Sequence, residues 1–211
     1  MNLYEILKNN KIIPVAVFND ENKALKTAEL LLNNSINILE ITLRTETAFD
    51  NIYAISKKFP ELILGSGSVL GKNAFEKAVD SGARFGVAPG LDIDLLKFAH
   101  SKQIAFIPGV STPTELNTAL KEELRFVKLF PASSLGGPAY IKAIAAPFKM
   151  IDFSLIPTGG INESNILEYL KSDKVIACGA SYIIESRLVE SGDFDELNRR
   201  MQRTKKLLSA I

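Results

Sequence analysis

Short runs of apolar, often β-branched residues alternate with longer amphipathic stretches almost from end to end of the chain, which is the punctuation of repeated βα units. The strand-like runs are Ile12 to Phe18, Ile38 to Arg44, Leu62 to Ser66, Arg84 to Ala88, Ile104 to Pro108, Phe126 to Phe130, Phe153 to Thr158 and Lys174 to Ala177. Between them the apolar period lengthens. In Glu21 to Leu32, for example, Leu25, Ala28, Leu31 and Leu32 recur at three- and four-residue steps, which gathers them on one face of a helix.

Eight strands taking turns with helices predict an α/β fold, a (β/α)8 TIM barrel with a short N-terminal helix, at about 26 residues per unit. A doubly wound open sheet is the competing arrangement. It is disfavoured because Phe18-Asn19-Asp20-Glu21 follows the first strand, where a glycine-rich dinucleotide loop would be needed. No linker, low-complexity tract or charge block marks a boundary, so residues 1–211 are expected to form a single barrel domain.

Charge and composition narrow the partners. Lys plus Arg number 25 and Asp plus Glu 24, a net charge of +1 that supplies no basic field for nucleic acid or an anionic membrane. A small molecule or another protein is the expected partner. The single cysteine, Cys178, cannot form an internal disulfide, and with the lone His100 it cannot build a thiolate or histidine-rich zinc site, so no metal is expected. Met1 to Asn10 has neither the basic start nor the apolar run of a signal peptide, and no apolar stretch reaches the ~18 residues of a membrane-spanning helix. A cytoplasmic protein is expected.

In a (β/α)8 barrel the chemistry sits at the C-terminal ends of the strands. In Ile38 to Arg44, alternation puts Glu40, Thr42 and Arg44 on one face and Leu39, Ile41 and Leu43 on the other, so Glu40 and Arg44 are expected to point inward as an interior ion pair or as functional groups. Phe126-Val127-Lys128-Leu129-Phe130 is an apolar strand interrupted by a lysine, which either points into the barrel or snorkels out through the helix layer. An inward amine has a chemical use, attack on a carbonyl to form a Schiff base. At the ordinary lysine pKa of about 10.4, only about one side chain in a few thousand is neutral at pH 7, so the surroundings must activate it. Pro157-Thr158-Gly159-Gly160 ends a strand in two glycines, and Cys178-Gly179-Ala180-Ser181 ends the next; such loops are either tight turns or backbone cradles for a phosphate. Gly65 to Lys72 has the look of a nucleotide loop but the wrong spacing, and reads as a strand-to-helix turn. Cys178 reads as a small core residue and His100 as a helix C-terminal cap.

Glu40-Ile41-Thr42-Leu43-Arg44-Thr45, Ala88-Pro89-Gly90, Ile107-Pro108-Gly109-Val110, Val127-Lys128-Leu129-Phe130-Pro131-Ala132 and Pro157-Thr158-Gly159-Gly160 together resemble the 2-keto-3-deoxy-6-phosphogluconate (KDPG) aldolases, in the right order over nearly the whole chain. The resemblance implies a class I aldolase that yields pyruvate and glyceraldehyde 3-phosphate in the Entner-Doudoroff route. Its alternatives are 4-hydroxy-2-oxoglutarate (KHG) and the galactonate epimer. It implies Lys128 as the Schiff-base lysine, Glu40 as the general acid and base, and Arg44 as a binder of the substrate's anionic groups. Gly159, Gly160 and Ser181 are implied for the phosphate, Pro89 and Phe130 as pocket walls, and Thr158 as the selector between epimers. No cofactor is implied, because the lysine itself is the electron sink, and the assembly implied is a homotrimer. Two departures stand out. Ser68 occupies the position of the family's usual threonine beside the pyruvate carboxylate, and Phe18 ends the first strand where many relatives carry an arginine, which predicts weaker phosphate binding.

Overall fold

The computed structural model describes residues 2–209. Its strands are β1 Ile12–Ala16, β2 Ile38–Thr42, β3 Ile63–Gly67, β4 Phe85–Val87, β5 Ala105–Ile107, β6 Gly109–Val110, β7 Phe126–Leu129, β8 Ser154–Pro157 and β9 Cys178–Ala180. Ahead of β1 lies α1 Leu3–Asn10; the helices that follow are α2 Glu21–Asn33, α3 Ala48–Lys58, α4 Lys72–Asp80, α5 Ile93–Ser101, α6 Pro113–Lys121, α7 Gly137–Ala145, α8 Ile166–Leu170, α9 Ser186–Ser191 and α10 Phe194–Leu208. The strands form an α/β fold of two sheets, one of six strands in the order β5-β4-β3-β2-β1-β9 and one of three in the order β6-β7-β8. Every pairing within them is parallel.

Two strand expectations are corrected. The fifth expected strand, Ile104 to Pro108, is followed by a separate short strand, and the break falls at Pro108, which has no amide to donate. β5 pairs with β4 before the proline, and β6 pairs with β7 after it. The eighth expected strand, Lys174 to Ala177, is displaced to Cys178–Ala180. Ile176 and Ala177 are buried as the apolar pattern implies, but the ladder to β1 runs through Ile12↔Cys178, Ile13↔Gly179 and Pro14↔Ala180. The expected run does meet β8 through the parallel bridge Leu155↔Val175, while the continuous ladder to β1 starts only at Cys178.

The helices begin where short polar side chains can take an otherwise unpaired amide. Asp20 accepts from the Lys23 amide at 2.8 Å to start α2. Thr112 and Glu115 form a reciprocal capping box at α6, with Pro113 in its first turn. On α2 the fully buried apolar positions are Ala24, Ala28 and Leu31, while Leu25 and Leu32 are only half-buried, so the helix is rolled slightly from the expected face.

Alternation along the strands divides the core in two. Leu39 and Ile41 of β2, Val127 and Leu129 of β7 and Leu155 of β8 pack outward against the helices. Ile13, Ile38, Ile63, Phe85, Ile107 and Ile156 form a second cluster that joins the inner faces of both sheets. Leu3 and Leu7 of α1 belong to it, so the expected N-terminal helix closes the N-terminal end of the strands. The polar inward positions are thereby gathered at the opposite end. No helix among the described residues is long and apolar enough to cross a membrane.

Candidate active site

β2 and β7 carry the charged residues of the inner face. Glu40 is 2% exposed and Lys128 7% exposed, and Lys128 Nζ lies 3.7 Å from Glu40 Oε1. Lys128 therefore points inward, and the snorkelling alternative is excluded. The separation is longer than a hydrogen bond, so neither group is locked onto the other. Phe130, two residues along the same face, sets its ring centroid 5.3 Å from Lys128 Nζ. Glu40 has room because of β3. A Cβ at Gly67 would overlap the Glu40 carboxylate, which lies over that glycine.

These side chains line a cavity of about 230 Å³, a size suited to a small metabolite. All ten residues singled out in the sequence line it: Glu40, Arg44, Ser68, Pro89, Lys128, Phe130, Thr158, Gly159, Gly160 and Ser181. Four others do so as well, namely Val15, Thr42, Ile161 and Gly179. Alternation along β2 already places Thr42 on this face, and the same alternation along β1 would have found Val15. Gly179 takes its place only through register, for its missing Cβ makes room for the Thr158 side chain.

Arg44 lies exposed in the turn after β2 and has no carboxylate partner among the described residues. It is a free cation at the mouth of the cavity. Across from it the Gly159-Gly160 turn is held by its carbonyls: Gly159 O accepts from the Ser133 amide at 3.0 Å, and Gly160 O accepts from Asn165 Nδ2 at 2.9 Å. Both glycines have positive φ, +98° and +77°. The Gly160 and Ile161 amides find no acceptor among the described residues, and they are the groups an anion needs. Ser181 is exposed at the end of β9, on the same cavity. Chemically, the arrangement combines a buried amine, an adjacent carboxylate, and a guanidinium, a hydroxyl and two free amides at the rim.

Residues 3–200 match the family of KDPG and KHG aldolases. The chain belongs to that family. It is 38% identical to the KHG/KDPG aldolase of Escherichia coli (strain K12) over 194 residues, 92% of this chain and 90% of that one. It is 32% identical to the 2-dehydro-3-deoxy-phosphogluconate aldolase of Treponema pallidum (strain Nichols), over 99% of both chains. Among solved structures, the KDPG aldolase of Legionella pneumophila, with pyruvate captured as a covalent carbinolamine intermediate, superposes with a TM-score of 0.91 at 32% identity, covering 96% of this chain and 97% of that chain.

Against the family pattern, the two departures come out differently. Phe18 is corrected: it is 1% exposed, packs in the outer core and does not line the cavity. β1 itself ends at Ala16, and Val15 is its residue that lines the cavity. Ser68 does line the cavity, with its backbone in the left-handed region at φ 56°. A β-branched threonine is more strained there than serine, which gives this aldolase-family chain a local reason to carry the smaller hydroxyl. Cys178 is fully buried, and burial pushes its thiol pKa up, as suits a core residue. His100 lies in the last turn of α5. Of Gly65 to Lys72, the first three residues end β3, Ser68 to Gly71 make the turn and Lys72 opens α4. No group of three His, Cys, Asp or Glu among the described residues could hold a metal ion.

Proposed function

We propose that this chain cleaves 2-keto-3-deoxy-6-phosphogluconate to pyruvate and glyceraldehyde 3-phosphate, with Lys128 as Schiff-base nucleophile and Glu40 as proton carrier. The observation that carries this reading is the buried Lys128–Glu40 pair at 3.7 Å, adjacent but not hydrogen-bonded, on the floor of a small cavity. Lys128 adds to the C2 ketone, and loss of water leaves an iminium. Glu40 then takes the C4 hydroxyl proton, the C3–C4 bond breaks, and its electrons flow to the iminium as a neutral enamine. Protonation at C3 and hydrolysis release pyruvate and the lysine. The protein supplies its own electron sink, so no cofactor or metal is required by this scheme.

Arg44 and Ser68 bind the carboxylate end. Gly159, Gly160 and Ser181 bind the phosphate, Pro89 and Phe130 wall the pocket, and Thr158 contacts the epimeric carbon. The free Gly160 and Ile161 amides support the phosphate assignment. A second reading, the same chemistry on 4-hydroxy-2-oxoglutarate, is favoured by likeness to the Escherichia coli KHG/KDPG aldolase and by a lysine–carboxylate pair that does not involve the phosphate end. The galactonate epimer is the third substrate to test.

The same proposal covers the architecture. The two sheets act as arcs of one closed (β/α)8 barrel within a single domain. Supporting this are the parallel bridge Thr158↔Gly179, the Lys128 amide donating to Pro108 O at 2.9 Å, and the apolar cluster shared by both inner faces. The working protein is a cytoplasmic homotrimer whose partner is a small phosphorylated keto acid, with no nucleic-acid or membrane partner.

Borohydride added with pyruvate is expected to inactivate the protein and leave a reduced pyruvyl adduct on Lys128, read by peptide mass spectrometry. An adduct on another lysine, or none, overturns the mechanism. Pyruvate release coupled to lactate dehydrogenase, measured on both phosphorylated epimers and on 4-hydroxy-2-oxoglutarate, ranks the substrates. Sedimentation velocity tests the trimer.

A further inference from the structure

Among the described residues, two buried side-chain atoms lack a hydrogen-bond partner, Thr42 Oγ1 and Asn51 Oδ1. Of these residues only Thr42 lines the cavity, and it is 1% exposed. A buried hydroxyl without a partner destabilises the fold, while valine fills the same shape with no such penalty. The position of Thr42 indicates what would complete it. It follows Glu40 on the inner face of β2 as the last residue of that strand, and in the β2–β3 register its partner is Gly67. The Glu40 carboxylate lies over that same glycine, with Lys128 Nζ 3.7 Å from Oε1. Thr42, Glu40 and Lys128 thus line the same cavity, and the Thr42 hydroxyl bonds to neither of the others.

We infer that Thr42 is a further residue of the reaction, whose hydroxyl donates a hydrogen bond to the oxygen on C2 of the keto acid while Lys128 adds to that carbon. The inference rests on the Schiff-base reading above. As the Lys128 nitrogen bonds to C2, the carbonyl π electrons pass to oxygen, and Thr42 stabilises the charge that develops there. The surplus proton on nitrogen moves through Glu40 to that oxygen and gives the carbinolamine. Glu40, which took a proton from the Lys128 ammonium before the attack, then delivers it to the same oxygen. The C2–O bond breaks, water leaves, and the nitrogen lone pair closes the iminium. Thr42 neither gains nor loses a proton overall.

The test is Thr42→Val against Thr42→Ser. The valine variant is expected to melt no lower than wild type. Imine formation with pyruvate, read by rapid borohydride quench, and kcat for cleavage are both expected to fall on the order of 10²-fold, the usual loss of one preorganised donor. KM should stay within about threefold, and serine should recover most of the rate. A valine variant with the wild-type rate of imine formation overturns the inference, as does an equal loss in valine and serine. Should valine abolish the near-ultraviolet circular dichroism, Thr42→Ala makes the same comparison with a smaller side chain. Failure of the underlying reading has a different signature: wild type itself would form no adduct at Lys128.

Discussion

Glu40 and Lys128 are held out of water at an energetic cost of several kcal/mol per ion, and a contact of 3.7 Å without a hydrogen bond offsets only part of it. Under the proposed mechanism that cost is met because the pair exchanges a proton and then admits a substrate between its members. Glu40→Gln keeps the shape over Gly67 but cannot carry a proton. Its kcat is expected to fall ~10²- to 10⁴-fold, with pyruvate still trapped slowly on Lys128, as steady-state assays and mass spectrometry would reveal. An unchanged kcat would make Glu40 structural. At the other end of the cavity, Gly160 is a poor position for testing phosphate binding, because its φ of +77° and the adjacent Ser133 side chain strain any larger residue regardless of substrate. Ser181 is exposed and free of that constraint. Ser181→Ala should lower kcat/KM about tenfold for the phosphorylated substrate and hardly at all for 4-hydroxy-2-oxoglutarate; equal losses would remove Ser181 from the phosphate site.

At the scale of elements, α10 ties together the two loops that carry the proposed phosphate groups. Arg200 Nη1 donates to Tyr182 O at 2.9 Å and to Glu185 Oε2 at 2.7 Å, just beyond Ser181. Arg203 Nε reaches both Glu163 oxygens at 3.2 Å, just beyond the Gly159-Gly160 turn. Glu196 joins the two arginines. Arg200→Met should therefore loosen the Ser181 loop and raise KM for the phosphorylated substrate several-fold, leaving the unphosphorylated one unaffected. The network also titrates. Hydrogen bonds from Arg199, Arg200 and Arg203 lower the Glu196 pKa from 4.5 to about 2. Since the folded value lies below the unfolded one, the contribution is complete above pH 4.5 and is lost as pH falls toward 2. Urea midpoints measured across that window should fall more steeply for wild type than for Glu196→Gln, and parallel curves would mean the network adds no stability.

For the molecule as a whole, the apolar end closed by α1 and the candidate site lie at opposite ends of the strands. α1 closes one end through Leu3 and Leu7, packed with Ile13, Ile38 and Ile63, while the cavity opens at the other. Leu7 is fully buried, so Leu7→Ala is expected to cost ~2–5 kcal/mol in urea unfolding. Activity per folded molecule should remain near wild type, because the deleted methyls do not border the cavity. A comparable drop in kcat at full folding would mean that the two ends are mechanically coupled.

Much of this organisation was legible before any coordinates. Alternating periods of two and 3.6 announced parallel strands separated by helices, because a strand turns every second side chain inward and a helix every third or fourth. The same alternation exposed Lys128 and Glu40 as charges on apolar strands, and the cost of burying charge made them candidates for chemistry. Local pattern could not say which residues would form the ladder to β1, since Lys174 to Ala177 meets β8 through Leu155↔Val175. Lys174 to Ala177 had the composition of a strand, yet β1 took the smaller Cys178–Ala180, since backbone ladders are chosen by the neighbouring strand. Nor could it foresee that Phe18 would face the helices, that Gly67 would make room for the Glu40 carboxylate, or that the Thr42 hydroxyl would be left unpaired beside it. Those outcomes depend on which side chains meet across strands far apart in sequence. The order of residues determined what each strand offered to the inner face, and the tertiary structure determined which of those offerings met.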